Sequence, residues 1–414
     1  MTAQPWYHRL HWQVAAALTL GVAAGLAGGE TLAAAVGWIG TLFIRLLRMI
    51  IVPLVFTSIV SGVVAAGSGR SLGRLFSKTL GYYMLTSMLA ISIGLVAVNL
   101  IRPGDGASFE GVDAGTLPEL NTPDSVLDLV IAIVPDNVVA AASAGDMLAL
   151  IFFSIVLGMA ITGLPDAPRR RLVDLFDAAF RAIMRLTQGV IVFLPIGVFA
   201  LITRLVGESG LEPFRALGLY AATIVLGLSV HMFVVLPLVL ITAGVRPRVH
   251  FANMLEVVAM AFSTSSSAAT LPLTMSSVER NAGVSNRVSS FVLPMGATVN
   301  MDGTALYECA GVIFITQALG VDLSISQQLL VVFTALLASI GTAAIPSAGL
   351  VMIFVILGAL NLQGPEVDVI VAALLAIDRP LDMYRTAVNV FSDTCGAVII
   401  ARSEGETTAD AAAH

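Results

Sequence analysis

The sequence predicts an all-α integral membrane protein with about eight crossing helices and two re-entrant helical hairpins. Three observations carry that prediction. First, 57% of the 414 residues are hydrophobic and only 12% are charged, with a mean hydropathy of +0.93, whereas a soluble domain carries about 25% charged residues. Second, apolar runs near residues 10–29, 36–66, 79–101, 146–163, 183–206, 216–243, 288–318 and 366–401 are each of a length to cross a bilayer. Third, two further apolar stretches, 251–277 and 326–358, are interrupted at their middles by "STSSSAATLP" and "SIGTAAIPSAG". The arms of these two are about 10–15 residues long, too short to span, so each predicts a hairpin that enters and leaves by one face.

The elements follow in chain order. Leu10 to Gly29 is longer than the apolar region of a signal peptide and has no small-residue cleavage site, so it is read as a retained first span. The basic residues Arg9, then Arg70, Arg74 and Lys78, then Arg169, Arg170 and Arg171, then Arg246 and Arg248, and finally Arg402 fall on alternate ends of successive spans. The loop 103–125 instead carries Asp105, Glu110, Asp113, Glu119 and Asp124 with no Lys or Arg. The positive-inside rule therefore expects both termini in the cytoplasm and the acidic loop outside. The first hairpin then opens from the inside and the second from the outside, the arrangement of inverted-repeat transporters that bind substrate where broken helices meet.

The last run holds "LDMYRTAVNVFSD", Leu381 to Asp393. At 100° per residue, Asp378, Asp382, Arg385, Asn389 and Asp393 fall within an arc of roughly 80°, opposite an apolar face. Charges at membrane depth are costly and mark a site or pathway. In the run before it, "GATVNMDGTALYE" places Asn300-Met301-Asp302-Gly303 where a helix is poorly supported. An unwound turn there frees carbonyls that suit sodium together with Asp302, Asn300 and Thr298. Counting Asp302, Asp378, Asp382 and Asp393 against Arg385 leaves three uncompensated negative charges, which requires cations or protons to bind with the substrate. Arg385 offers a planar fork for a carboxylate, and Asp382, one turn away, a partner for an ammonium. Together they describe an acidic amino acid.

Other classes fit less well. A channel filter has no use for an Arg–Asp pair of this kind. The serine cluster has no GxSxG or HExxH beside it, so an enzyme is not expected. There is no basic tract for nucleic acid, and Cys309 and Cys395 are too few for a disulfide framework. Arg45 and Arg48 are read as lipid or domain anchors, and His231 as a structural histidine without a nameable partner.

On "TSSSAATLP", "GATVNMDGTALYE", "SIGTAAIPSAG" and "LDMYRTAVNVFSDTCGAVIIA", the chain resembles the dicarboxylate/amino acid:cation symporters, and the resemblance covers essentially its whole length. It implies a homotrimer in the plasma (inner) membrane, in contact with lipid, whose transport domain moves like an elevator. Residues 1–78 would be scaffold helices, and 79–145 a transport-domain span with the acidic loop. Residues 146–245 would hold two scaffold helices and a sixth span of the transport domain, and 246–414 the transport core. By resemblance, Arg385 and Thr304 hold the substrate's side-chain carboxylate and Asp382 and Thr386 its amine. Asn389, Ser266 and Ser267 hold the α-carboxylate, and Ile345 to Gly349 form the gate. Asp393, Asn300, Gly296 and Asn389 match one sodium site. Tyr83, Thr86, Ser87, Asn300 and Asp302 match a second. Thr298, Met301, Ser339, Ile340 and Thr342 match a third. Glu308 stands where glutamate-transporting relatives place a proton-carrying Glu. The family's second arginine is missing from both of its usual positions, which here are Ser265 and Met383. No cofactor is implied beyond sodium ions and/or protons. The substrate is expected to be glutamate or aspartate, with a C4-dicarboxylate or a neutral amino acid as the alternative.

Overall fold

Helix α1 (Leu10–Ala66) runs through two of the expected crossings in one element, broken only at Gly29, whose φ of 51° and ψ of −148° suit a residue without Cβ. The computed structural model describes residues 10–66, 73–107, 134–144, 146–341 and 348–409. Every regular element among the described residues is helical.

Helix α2 (Gly73–Ile101) is followed by the short α3 (Val138–Ala144) and by α4 (Met147–Thr162). Asp146 caps α4 by accepting from the Ala149 N–H at 3.1 Å. The expected span 183–206 is not one straight helix. It is shared by α5 (Asp166–Val192) and α6 (Leu194–Ser209), which meet at a bend of 48°. Helix α7 (Glu212–Val230) continues through a π-helical turn, His231–Val235, into α8 (Leu236–Thr242). Then come α9 (Pro247–Thr264) and α10 (Ser267–Asn281), α11 (Asn286–Val299) and α12 (Asp302–Ala318), α13 (Ile325–Gly341) and α14 (Ala348–Ala359), and the 39-residue α15 (Pro365–Ser403).

By length and composition, three described helices can each cross a membrane, or four if the bent pair is one span. The tally is lower than the expected eight because α1 merges two crossings, α4 is too short, α5 and α6 meet at a bend, α11 and α12 are separated, and α15 carries too many charges to pass as apolar.

The serine-rich interruption forms the first hairpin. Ser265 takes a left-handed conformation, with φ of 49° and ψ of 37°, to end α9. Ser266 then turns extended and its Oγ accepts from the Ala269 N–H at 3.2 Å, capping α10. The tip of the second hairpin, residues 342–347, lies outside the described residues. Helix α12 is buried on every side from Asp302 to Gln317. A helix enclosed this way must satisfy each polar side chain internally, and Asp302, Thr304 and Glu308 are among them.

Beyond the end of α15, Glu404 lies between Arg74 at 2.7 Å and Lys78 at 2.6 Å. Hydrogen bonding to Arg74, then to Lys78, pulls its carboxyl down to about 2. Glu406 accepts from Ser285 Oγ at 2.6 Å and from its N–H at 3.0 Å, so this tail ties the ends of α2, α11 and α15 together.

Candidate functional site

The break expected at Asn300–Gly303 is narrower than the sequence suggests. Asn300 and Met301 leave helical geometry, with ψ of 88° and 51°, while Asp302 and Gly303 form the first turn of α12. Asp302 thus sits at a helix N-terminus, where a carboxylate is favoured by the helix dipole. Gly303 is required by close approach, because an added Cβ would lie 2.9 Å from the Arg385 carbonyl oxygen. That approach lets the Gly303 N–H donate to Asn389 Oδ1 at 2.7 Å. Asn389 Nδ2 in turn donates to Thr304 Oγ1 at 3.0 Å and reaches Met301 Sδ at 3.3 Å. The α12 start and the middle of α15 are therefore locked side by side.

Two polar clusters flank this lock. In the first, Asp302 receives four donors. Ser87 Oγ at 2.7 Å and Thr86 Oγ1 at 3.2 Å reach Oδ1. Ser392 Oγ at 2.6 Å and His231 Nε2 at 3.1 Å reach Oδ2. Asn300 joins this cluster, its Oδ1 3.4 Å from Thr86 Oγ1, to a neighbouring carboxylate through Nδ2, which donates to Asp393 Oδ1 at 2.9 Å. Gly296 packs against the Asp393 carboxylate and the Tyr83 hydroxyl. Tyr83 itself donates to the Val292 carbonyl at 2.7 Å. So most of the residues expected for two sodium sites lie together, while Asn389 bonds to Gly303, Thr304 and Met301. Among the described residues no group of three or more His, Cys, Asp or Glu side chains is arranged to hold a metal ion. Here single carboxylates sit among hydroxyl and amide oxygens, a donor set that suits a hard monovalent cation better than a transition metal.

The third expected set is only partly described. Thr298 Oγ1 donates to the Met295 carbonyl at 3.0 Å and Ser339 Oγ to that of Leu336 at 2.8 Å, each within its own helix. Ile340 lies in the last turn of α13, and Thr342 lies outside the described residues, as does Ile345 of the gate.

In the second cluster, Arg385 is 1% exposed. It donates from Nη1 to Asp378 Oδ1 at 2.9 Å and from Nε to Asp382 Oδ1 at 3.1 Å. Its guanidinium carbon lies 4.2 Å from the centroid of the Tyr307 ring. Gly349, expected in the gate, leaves room over this guanidinium, since an added Cβ would lie 3.2 Å from Arg385 Cζ. Thr386 and Ser267 are buried, whereas Ser266 is half-buried. Glu308 is fully buried on α12, one turn beyond Thr304.

Two sequence-level readings need correction. The charge count omitted Arg379, which is 7% exposed and donates from Nη1 to Asp382 Oδ2 at 3.1 Å. With all of them ionised, the four buried aspartates are balanced by two arginines, both on the Asp378–Asp382 side, and two negative charges remain rather than three. His231 does have a partner, and it is Asp302. Arg379 could have been found from its i, i+3 spacing to Asp382. For Ser392, adjacency to Asp393 was the available signal. His231 and Tyr307 reach the site from other helices, and no local pattern marks them. Arg48 pairs with Asp368 of α15 and lies 4.8 Å over the Phe354 ring, so it contacts protein, one of the two roles expected for it.

The chain is 35% identical over 412 residues to excitatory amino acid transporter 3 of Mus musculus, covering 87% of this chain and 78% of that one. It is 33% identical over 406 residues to the proton/sodium-glutamate symport protein of Bacillus caldotenax, covering 96% and 95%. Against the proton/glutamate-aspartate symporter of Bacillus subtilis (strain 168), identity is 34% over 374 residues, with 88% of each chain covered. The sodium:dicarboxylate symporter family model matches residues 10–403. By that match and by these identities, the chain belongs to the sodium:dicarboxylate symporter family.

Proposed function

We propose that this protein is a secondary active transporter that carries L-glutamate or L-aspartate with sodium ions and/or protons across the plasma membrane. The observation that carries the reading is the buried Arg385–Asp382 pair, at 2.8 Å between Nη2 and Oδ1, beside Asn389 and the α12 N-terminus. Arg385 would take the substrate's side-chain carboxylate with Thr304. Asp382 and Thr386 would take the ammonium, and Asn389 with Ser266 and Ser267 the α-carboxylate. The second hairpin, with Ile345 and Gly349, would close over the substrate.

Asp393, Asn300, Gly296 and Asn389 would hold one sodium ion, and Asp302, Asn300, Thr86, Ser87 and Tyr83 a second. A third, from Thr298, Met301, Ser339, Ile340 and Thr342, would assemble as the hairpin closes. Two uncompensated charges support coupling to cations, because isolated charge at membrane depth is costly. Glu308 is assigned the proton-coupled step. The chain works as a homotrimer with cytoplasmic termini and about eight crossings. Residues 1–78 and the α4 to α6 part of 146–245 form the scaffold. The third span within 79–145, the sixth span within 146–245, and 246–414 move as an elevator. The relatives named as glutamate and aspartate symporters support the substrate class.

The test is uptake of radiolabelled aspartate and glutamate into proteoliposomes, with sodium, proton and potassium gradients imposed one at a time. Concentrative uptake under sodium or protons is expected. Absence of uptake under every gradient overturns the proposal. A C4-dicarboxylate is the second reading, favoured by the Arg379 contact to Asp382.

A further inference from the structure

Both carboxylate oxygens of Asp382 are engaged by arginine: Oδ1 by Arg385, and Oδ2 by Arg379. An ammonium brought against Asp382 needs one of those oxygens, so one arginine must yield. The anchors decide which. Arg385 is also held by Asp378 at 2.9 Å and by the Tyr307 ring at 4.2 Å. Arg379 has Asp382 as its one hydrogen-bonding side chain among the described residues, and its Nε is buried with no acceptor. Displacing Arg385 breaks three contacts, whereas displacing Arg379 breaks one and frees a side chain with a donor already unspent.

We infer that Arg379 is a specificity-determining residue that stands in for the substrate's ammonium. When the ligand carries an amine, Arg379 gives up Asp382 Oδ2 to it. When the ligand is a dicarboxylate without an amine, Arg379 stays on Asp382 and keeps that carboxylate neutralised. A buried carboxylate stripped of a partner opposes binding strongly, so without Arg379 an amine-free ligand would leave Asp382 poorly compensated beside two incoming carboxylates. The site therefore takes acidic amino acids and C4-dicarboxylates alike, and Arg379 sets the ratio between them. The helix geometry agrees. Arg379 lies about 60° around α15 from Asp382, at the edge of the polar face, where it can reach Oδ2 without occupying the space between Arg385 and Asn389.

This inference rests on the proposed assignment of Asp382 to the substrate amine. It is tested by measuring L-aspartate and succinate affinities of the purified full-length protein by calorimetry in sodium, for wild type, Arg379→Gln, Arg379→Lys and Asp382→Asn. In Arg379→Gln, succinate binding should weaken by at least about tenfold while aspartate binding holds or tightens by a few-fold. Arg379→Lys, which keeps the charge, should leave the ratio within about threefold of wild type. Asp382→Asn should abolish aspartate binding and preserve or tighten succinate binding, which checks the amine assignment, and Arg379→Lys still tests Arg379 if Arg379→Gln does not fold.

Equal changes for both ligands in Arg379→Gln, or a ratio moved well beyond about threefold in Arg379→Lys, would overturn the inference and leave Arg379 a structural ion-pair partner. Equal weakening in Asp382→Asn would instead overturn the amine assignment beneath it. Wild-type protein that binds no aspartate in any ion would overturn the proposed function as well. A normal wild type with an unmoved ratio overturns the role of Arg379 alone.

Discussion

Asp302 and Asp382 are both buried carboxylates with both oxygens occupied, yet their partners differ in kind. Asp302 is met by three hydroxyls and an imidazole, whereas Asp382 is met by two guanidinium groups. Hydroxyl donors hold a carboxylate in place without cancelling its charge, so the field of Asp302 remains available to a small cation. Guanidinium donors cancel the charge, and the pair can then trade one cation for another of similar size and hydrogen bonding, such as a substrate ammonium. One cluster is thus suited to attracting ions, and the other to exchanging partners.

The strongest test of that division is Arg385→Ala. Loss of a buried arginine leaves Asp378 and Asp382 without their shared donor, so affinity for glutamate and aspartate should fall at least about a hundredfold. Neutral amino acids should still be carried. An unchanged substrate range in uptake assays would break the comparison on the Asp382 side.

Asp302→Asn probes the other side. It keeps a similar shape but removes the charge, so the sodium concentration for half-maximal aspartate binding should rise by about tenfold or more. Aspartate affinity at saturating sodium should change far less. Titration of sodium against an aspartate-binding signal separates the two, and equal loss in both would erase the distinction between the clusters.

Glu308→Gln should be milder. It should remove pH-dependent steps of the transport cycle while leaving sodium-dependent substrate binding in place. Exchange and net-uptake assays across a pH series check this, and a pH dependence identical to wild type would remove Glu308 from coupling.

The smallest effect is expected at Glu404, where carboxylate and cations also pair, but beyond the end of α15. Its folded pKa of about 2 lies below the ordinary Glu value of about 4.3. Its stabilising contribution is therefore present above that ordinary value and is lost as pH falls toward about 2. In Glu404→Gln, the thermal unfolding midpoint should respond less to acid over that window. An acid response equal to wild type would show that pairing at this end is fully screened by water.

Much of this arrangement was legible in the chain itself, for reasons that can be named. The breaks at Ser265 and at Asn300 follow from residues that end helices. The polar face of α15 follows from a fixed rotation per residue. What escaped was tertiary. Arg379 lies just outside the arc that gathers Asp378 to Asp393, yet its long side chain swings back across the helix surface to Asp382. His231 reaches Asp302 from 71 residues away, and Tyr307 meets Arg385 from a neighbouring helix. The break itself was drawn two residues too long, because Gly303 was read as a helix breaker when its missing side chain serves to admit the Arg385 backbone.

The π turn at His231–Val235 has a consequence for how its helix is phased. Tyr220, Ile224, Leu228, Met232, Leu236 and Leu240 are all buried and are spaced by four throughout. In a uniform α-helix each step of four advances the row by about 40°, and the full row would wind about 200° around the axis. A π turn holds one inserted residue and takes back about 100° of that drift. The insertion thus works as a vernier, re-aligning the lower half of the helix with the core while His231 keeps its bearing on Asp302. Deleting a single residue between Met232 and Val235 would shift that phase by a full residue step, and the two halves could no longer both face the core.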